Sequence, residues 1–249
     1  MSDSSKTIVF NYKFKFNDNF EKEFNVELDP KTLNLIYTPK SPSPEWTKLN
    51  FFKCPHCTFD EATHLLCPIA ASLVELVDFF QDMVSYSEVN LQIQCNERGY
   101  FKRTTLQQGI SSLIGIYMVT SGCPVMEKLK PMVRYHLPFA SMWETEYRVL
   151  SMYLLAQYFL YKRGKQPDWD LKYLVDTYTG IQVVNKSISQ RLTSIKVQDA
   201  ALNALIKLDM FAKRISVSID RDALDEIESL FGAYFDDGKI DGKRFGASD

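Results

Sequence analysis

The sequence lacks several features that mark common classes of protein. It contains no run of about 18 apolar residues, so we expect no membrane-spanning segment and no membrane partner. Its 29 Lys and Arg against 31 Asp and Glu give a net charge of -2 without a basic stripe, so nucleic acid is not an expected partner. The GxGxxG, P-loop, GxSxG and HExxH motifs are all absent, which argues against the common nucleotide-binding, hydrolase and zinc-protease classes.

The N-terminal residues and the cysteine count indicate the cellular compartment. The sequence begins MSDSSKTIVFNYKFKF, which has no apolar core of the kind found in a secretion signal. Five cysteines are an odd number and do not suit a complete disulfide framework. We therefore expect a cytoplasmic protein whose cysteines are thiols or metal ligands.

The spacing of apolar residues predicts an α+β fold in one domain over residues 1–235, followed by a flexible tail over 236–249. Period-two alternation marks about five short strands, in an N-terminal meander and a later hairpin: 7–16, 20–28, 33–37, 88–95 and 100–104. Apolar residues three and four apart mark a larger helical body: 68–84, 105–120, 124–137, 141–163, 168–178, 185–214 and 221–235. The last two helices carry apolar stripes that could pair with a second copy, so a homo-oligomer is a further expectation.

The stretch Cys54–Pro68, CPHCTFDEATHLLCP, is the most informative part of the sequence. It holds three of the five cysteines and two of the three histidines. The CxxC unit of Cys54 and Cys57 lets two thiolates reach one metal ion from a single turn. A redox dithiol would instead be expected within a βαβ pattern, whereas the preceding strands resemble an antiparallel meander.

Cys67 and Cys123 are each followed by proline, which is favoured at the first position of a helix. The free N–H groups and positive dipole at a helix start favour a thiolate over a thiol. Together with the CxxC unit, these residues predict a four-thiolate site at Cys54, Cys57, Cys67 and Cys123. Such a set suits zinc or an iron–sulfur cluster. Cys95 continues the apolar face of its strand, so we expect it to pack in the core.

Other interpretations of these residues stay open. The cysteines could be ordinary buried side chains, and the Cys-Pro step also occurs where a thiolate holds haem. Cys67 or Cys123 could be a reactive or redox thiol with His136 as its base. His64, in the ExxH spacing after Glu61, is an alternative ligand.

A second polar region follows the Cys123 segment. Arg134, His136 and Glu144 are close enough to Cys123 along the chain to line the same cavity. Ser141 and Glu144 also have the spacing of a capping box at the start of a helix, which would explain Glu144 without any chemistry.

The motifs CPHC, the later Cys-Pro, SGCPVM, RYHLPFAS and ETEYR together resemble an uncharacterised family of bacterial proteins known as a domain of unknown function. The resemblance covers roughly residues 45–165. It implies that the cysteines belong together as one family feature, and it implies no activity, fold or cofactor.

Overall fold

The computed structural model describes residues 6–17, 20–195, 199–218 and 223–235. Within these residues four strands form one antiparallel sheet in the order β2-β1-β3-β4. The strands are β1 (Ile8–Lys15), β2 (Glu21–Leu28), β3 (Glu88–Cys95) and β4 (Gly99–Thr105). The α+β fold class is therefore confirmed, with the N-terminal hairpin and the later hairpin joined edge to edge.

The alternation seen in the sequence separates the two faces of the sheet. One face of the sheet is buried. It carries Phe10, Tyr12 and Phe14 of β1 and the side chains beside them on β2 and β3. The opposite face carries ion pairs, such as that between Lys13 and Glu21 at 2.6 Å. One face is thus in the core and the other faces solvent, as an antiparallel sheet permits.

The helices form two further layers below the sheet. Helix α3 lies between the sheet and α7, and α7 packs against α6. This position explains why α3 is buried along most of its length. The helices are α1 (Pro68–Ser72), α2 (Val74–Phe80), α3 (Leu106–Thr120), α4 (Lys130–Arg134), α5 (Met142–Lys162), α6 (Lys172–Ser194), α7 (Asp199–Ser218), α8 (Ala223–Glu228) and α9 (Gly232–Phe235).

Gly109 lets α3 approach the sheet closely. A Cβ atom at this position would lie 2.9 Å from the side chains of both Leu91 and Phe14. The absence of a side chain therefore sets the distance between α3 and the two central strands.

The predicted strand 33–37 forms only a single bridge, between Leu28 and Leu35. Leu33 adopts a left-handed conformation with φ of 57°, which an extended strand does not allow. The N–H of Leu35 donates to the carbonyl of Thr120 at the end of α3 instead of to a neighbouring strand. The N–H of Ile36 donates to the carbonyl of Glu27 on β2, so the pairing of this segment with the sheet is limited to one short contact.

The predicted long helix 185–214 is two helices, and the predicted helix 168–178 is the beginning of the first of them. Helix α6 ends at Ser194 and α7 begins at Asp199, whose carboxylate accepts hydrogen bonds from the N–H and hydroxyl of Ser85. The predicted helix 68–84 divides at Leu73, and the predicted helix 124–137 is a 3₁₀ turn (Met126–Leu129) followed by α4. The predicted helix 221–235 contains α8, a 3₁₀ turn (Ser229–Phe231) and α9.

Helix α5 contributes little to the core. The spacing in 141–163 predicts an apolar stripe of Trp143, Tyr147, Leu150, Leu154 and Tyr158, yet every member except Leu150 is exposed. The capping box at its start is confirmed, because Ser141 and Glu144 exchange the two expected hydrogen bonds. No helix among the described residues is long and apolar enough to cross a membrane.

The apolar stripes of α6 and α7 face each other inside the chain, with Ile188, Leu192 and Leu205 buried. Exposed apolar side chains on α8 and the segment after it, Leu224 and Leu230, keep the homo-oligomer a prediction. The predicted tail 236–249 lies outside the described residues.

Candidate metal centre

The four cysteines predicted to form one site line a single cavity. Cys54, Cys57, Cys67 and Cys123 share this cavity of about 30 Å³ with Arg191. They come from three separate parts of the chain: the turn that follows residues 39–53 (the connector between β2 and the cysteines), the start of α1 and the loop after α3. The cavity therefore lies where the connector packs against the helices.

Backbone hydrogen bonds fix the segments that carry the first three cysteines. The N–H of Cys57 donates to the carbonyl of Cys54 at 2.9 Å, which closes the CxxC turn. The N–H of Cys67 donates to the carbonyl of Thr47 at 2.8 Å, and that of Leu49 donates to the carbonyl of Leu65. The connector and the residues before α1 are thus paired side by side.

Cys67 and Cys123 have the same local geometry. Cys67 precedes Pro68, the first residue of α1, and its carbonyl accepts from the N–H four residues later at 2.9 Å. Cys123 follows Gly122, whose φ of +93° turns the chain away from α3, and its carbonyl accepts in the same way at 3.0 Å. Cys67 thus begins a helix as predicted, while Cys123 begins a helical turn that continues into a 3₁₀ segment.

Burial raises the pKa of the thiols of Cys54 and Cys67, and it raises that of Cys123 to about 11. Nearby N–H groups act in the opposite direction at Cys67, although the side chain completes no cap hydrogen bond. The three thiols are therefore protonated near neutral pH when nothing else binds them. An activated nucleophile needs a lowered pKa, so this environment does not favour the reactive-thiol hypothesis.

Arg191, on α6, is fully buried and faces the cysteine cavity. Its guanidinium donates four hydrogen bonds to backbone carbonyls of the connector, at 2.6–3.1 Å. The acceptors are the carbonyls of Trp46, Lys48, Leu49 and Phe52. Arg191 therefore fixes the segment that leads into the CxxC turn.

The positive charge of Arg191 has no carboxylate partner among the described residues. Burial lowers its pKa, and the groups that oppose this shift are the thiols of Cys67, Cys54 and Cys57. Its Nε is also buried without a hydrogen-bond partner in the described part of the chain. A buried charge without a counter-ion is costly, so the side of the cavity that Arg191 faces favours a negative charge.

The cysteines line one cavity but do not yet form a coordination shell. Across residues 6–17, 20–195, 199–218 and 223–235, no three Cys, His, Asp or Glu side chains are positioned to hold a metal ion. Metal binding would therefore require the four thiols to move closer together.

The remaining predicted residues lie apart from this cavity. His64 stacks on Phe59 at 4.2 Å, in a turn where a helix would be needed for the ExxH geometry. His136 lines a different cavity from Cys123. Its Nε2 lies 2.7 Å from the hydroxyl of Tyr12. Cys95 packs beside the core at the end of β3, outside the cysteine cavity.

No sequence motif marks Arg191 or Ser187, whose hydroxyl contacts the Cys54 thiol. One signal was available, because Arg191 occupies the apolar face that Ile188 and Leu192 define. A charged residue at a core-facing position of a helix indicates a buried polar role. Its carbonyl partners lie more than 130 positions away along the chain, so the sequence could not reveal them.

The chain belongs to a family defined by a domain of unknown function, DUF6901, whose model matches residues 10–232. No curated protein and no solved structure matches it. The match confirms the expected membership of a family without an assigned activity. It extends beyond the region of resemblance, 45–165, and includes all four cysteines of the cavity.

Proposed function

We propose that this member of the DUF6901 family is a metal-binding protein in which Cys54, Cys57, Cys67 and Cys123 hold one zinc ion. The observation that carries the proposal is the convergence of four cysteines from three chain segments on one small cavity. Two of the segments present the cysteine at a helical turn, where N–H groups can stabilise a thiolate. Binding would displace the thiol protons, so the raised pKa values describe the metal-free form.

Charge balance supports a four-thiolate site. One Zn²⁺ with four thiolates carries a net charge of -2, by 2 - 4. The guanidinium of Arg191 would reduce this to about -1 within the site. The same interaction would supply the counter-ion that Arg191 lacks among the described residues.

The size of the cavity favours a single ion. A volume of about 30 Å³ has room for only two or three water-sized spheres. An iron–sulfur cluster or a haem needs more space, and would require the segments themselves to separate. Zinc therefore has the better support of the metals expected from the sequence.

A site closed by four protein ligands leaves no position for a substrate, so the proposed role is not hydrolytic. The chain also has an extensive core around the sheet and α3, so the metal is not needed to build the fold. We propose that it clamps the connector to α1 and the loop after α3, in a role of sensing or partner binding.

The test is elemental analysis of the full chain after anaerobic purification. We expect one equivalent of zinc in the wild type and less than about a tenth of that in Cys67→Ser and Cys123→Ser, since each loses one of four ligands. Cys95→Ser is the matched control and should keep the full equivalent, because Cys95 lies outside the cavity.

Two results would contradict this proposal. Fresh wild-type protein without bound metal would remove the whole class of function. Rapid, stoichiometric alkylation of one cavity cysteine at neutral pH would favour thiol chemistry instead, because metal-bound thiolates react slowly.

A further inference from the structure

A second cavity of about 230 Å³ is lined by residues of α6 other than those that line the cysteine cavity. Its walls come mainly from α3, α4, α6, α7 and the segment before α5. Most of the lining side chains are apolar, including Ile116, Met126, Val133, Leu208 and Phe211.

Two polar side chains of the wall belong to residues that are almost fully buried. Asn185 on α6 is 2% exposed and Ser111 on α3 is 4% exposed. Both line the cavity, and neither side chain makes a hydrogen bond with any described residue. The polar atoms of these two side chains are not among the fully buried atoms that lack a partner, so they are reachable from the cavity and can hydrogen-bond a polar ligand atom there.

The charged groups of the wall are all of one sign. Arg148 and Lys207 line the cavity, while none of the lining residues in the described chain is an Asp or Glu. Arg148 donates two hydrogen bonds to backbone carbonyls, and the acid whose charge acts on it, Glu144, is engaged in the capping box. Lys207 has no ion pair with a described residue. The cavity thus pairs an apolar wall with cations that lack anions.

We propose that this cavity binds a small apolar carboxylate. The carboxylate group would pair with Lys207 and Arg148, and the hydrocarbon part would lie against the apolar wall. Asn185 and Ser111 would hydrogen-bond the ligand or a water that it holds in place.

The volume sets the size of this ligand. A cavity of about 150 Å³ lined by aliphatic and aromatic side chains holds a benzene molecule. The present cavity is about one and a half times as large, so it suits a ligand of about ten non-hydrogen atoms. A medium-chain fatty acid or a substituted aromatic acid has this size.

The test is calorimetric titration of the full chain with octanoate, compared with 1-octanol. We expect saturable 1:1 binding of octanoate with a Kd on the order of 10–100 µM, and binding of octanol at least tenfold weaker. The alcohol has the same chain and no charge, so the comparison isolates recognition of the carboxylate.

The matched variants are Lys207→Gln and Lys213→Gln, which remove the same charge from the same helix. Lys207 lines the cavity, whereas Lys213 is exposed and does not. We expect Lys207→Gln to weaken octanoate binding about tenfold and Lys213→Gln to change it less than twofold. The proposal is overturned by the absence of saturable binding, by equal binding of octanol, or by equal effects of the two variants.

Discussion

Replacing Arg191 with Met removes a side chain that joins α6 to the connector before the cysteines. The wild-type guanidinium donates four hydrogen bonds, and two of the acceptors, the carbonyls of Trp46 and Leu49, are in fully buried pairs. The other two, on Lys48 and Phe52, are only partly buried and can regain water.

The expected cost follows from the two buried carbonyls. Leaving each buried carbonyl without its hydrogen-bond donor costs about 1–3 kcal/mol of stability. Part of this cost is offset, because Met also removes a buried charge that has no carboxylate partner among the described residues. We therefore expect Arg191→Met to lower the free energy of unfolding by about 3 kcal/mol. Arg191→Lys should lower it by about 1–2 kcal/mol, since an ammonium has three donors for four acceptors.

Urea unfolding followed by circular dichroism at pH 7 measures these differences. Lys186→Met is the matched control, because Lys186 is exposed on the same helix and should change stability by less than about 0.5 kcal/mol. If Arg191→Met is as stable as this control, Arg191 does not stabilise the connector and our description of the site is wrong.

Two further predictions concern the core and its pH dependence. Gly109→Ala should destabilise the protein by about 1 kcal/mol, because the new Cβ would lie 2.9 Å from Leu91 and Phe14. Gly115→Ala should be neutral or stabilise the protein by up to about 1 kcal/mol, because its Cβ would lie 3.7 Å from the nearest side chain. Urea unfolding that finds Gly109→Ala more stable than Gly115→Ala would contradict this. Burial and then the charge of Arg148 lower the pKa of His136 to about 3, so the unfolded chain, with a His pKa near 6.5, binds a proton that the folded chain does not. Stability should therefore fall by about 1–2 kcal/mol between pH 6.5 and 5 through this group, and His136→Asn should remove that part of the pH dependence; an unchanged dependence contradicts the assignment.

The sheet and α3 could be predicted from the sequence because each is marked by a pattern of neighbouring residues. The aromatic residues of β1 alternate with polar ones, and the alternation alone places Phe10, Tyr12 and Phe14 on the core face. The nearly uncharged centre of α3 likewise predicts burial on several faces, which its position between the sheet and α7 confirms.

The boundaries of α6 and α7 could not be predicted from the sequence, because contacts with distant residues determine where these helices begin and end. The sequence predicts separate helices over 168–178 and 185–214, whereas α6 runs without a break from Lys172 to Ser194 and packs against Val125 at Gly180, where a Cβ would lie 3.5 Å away. The start of α7 is fixed by the contact of Asp199 with Ser85, which lies far away in the sequence.

In the candidate site, likewise, the cysteines could be predicted from local patterns and the role of Arg191 could not. The CxxC spacing and the two Cys-Pro steps are local patterns, and the four cysteines they mark do line one cavity. The role of Arg191 depends on four carbonyls of a distant, irregular segment, and no local pattern predicts those contacts.

X-ray absorption at the zinc edge of the purified full chain tests the central claim most directly, because it counts the ligand atoms around the metal. We predict four sulfur neighbours at about 2.3 Å in the wild type and in Cys95→Ser. A zinc ion surrounded by nitrogen or oxygen atoms at about 2.0–2.1 Å, or protein that holds no zinc, would contradict a four-cysteine centre.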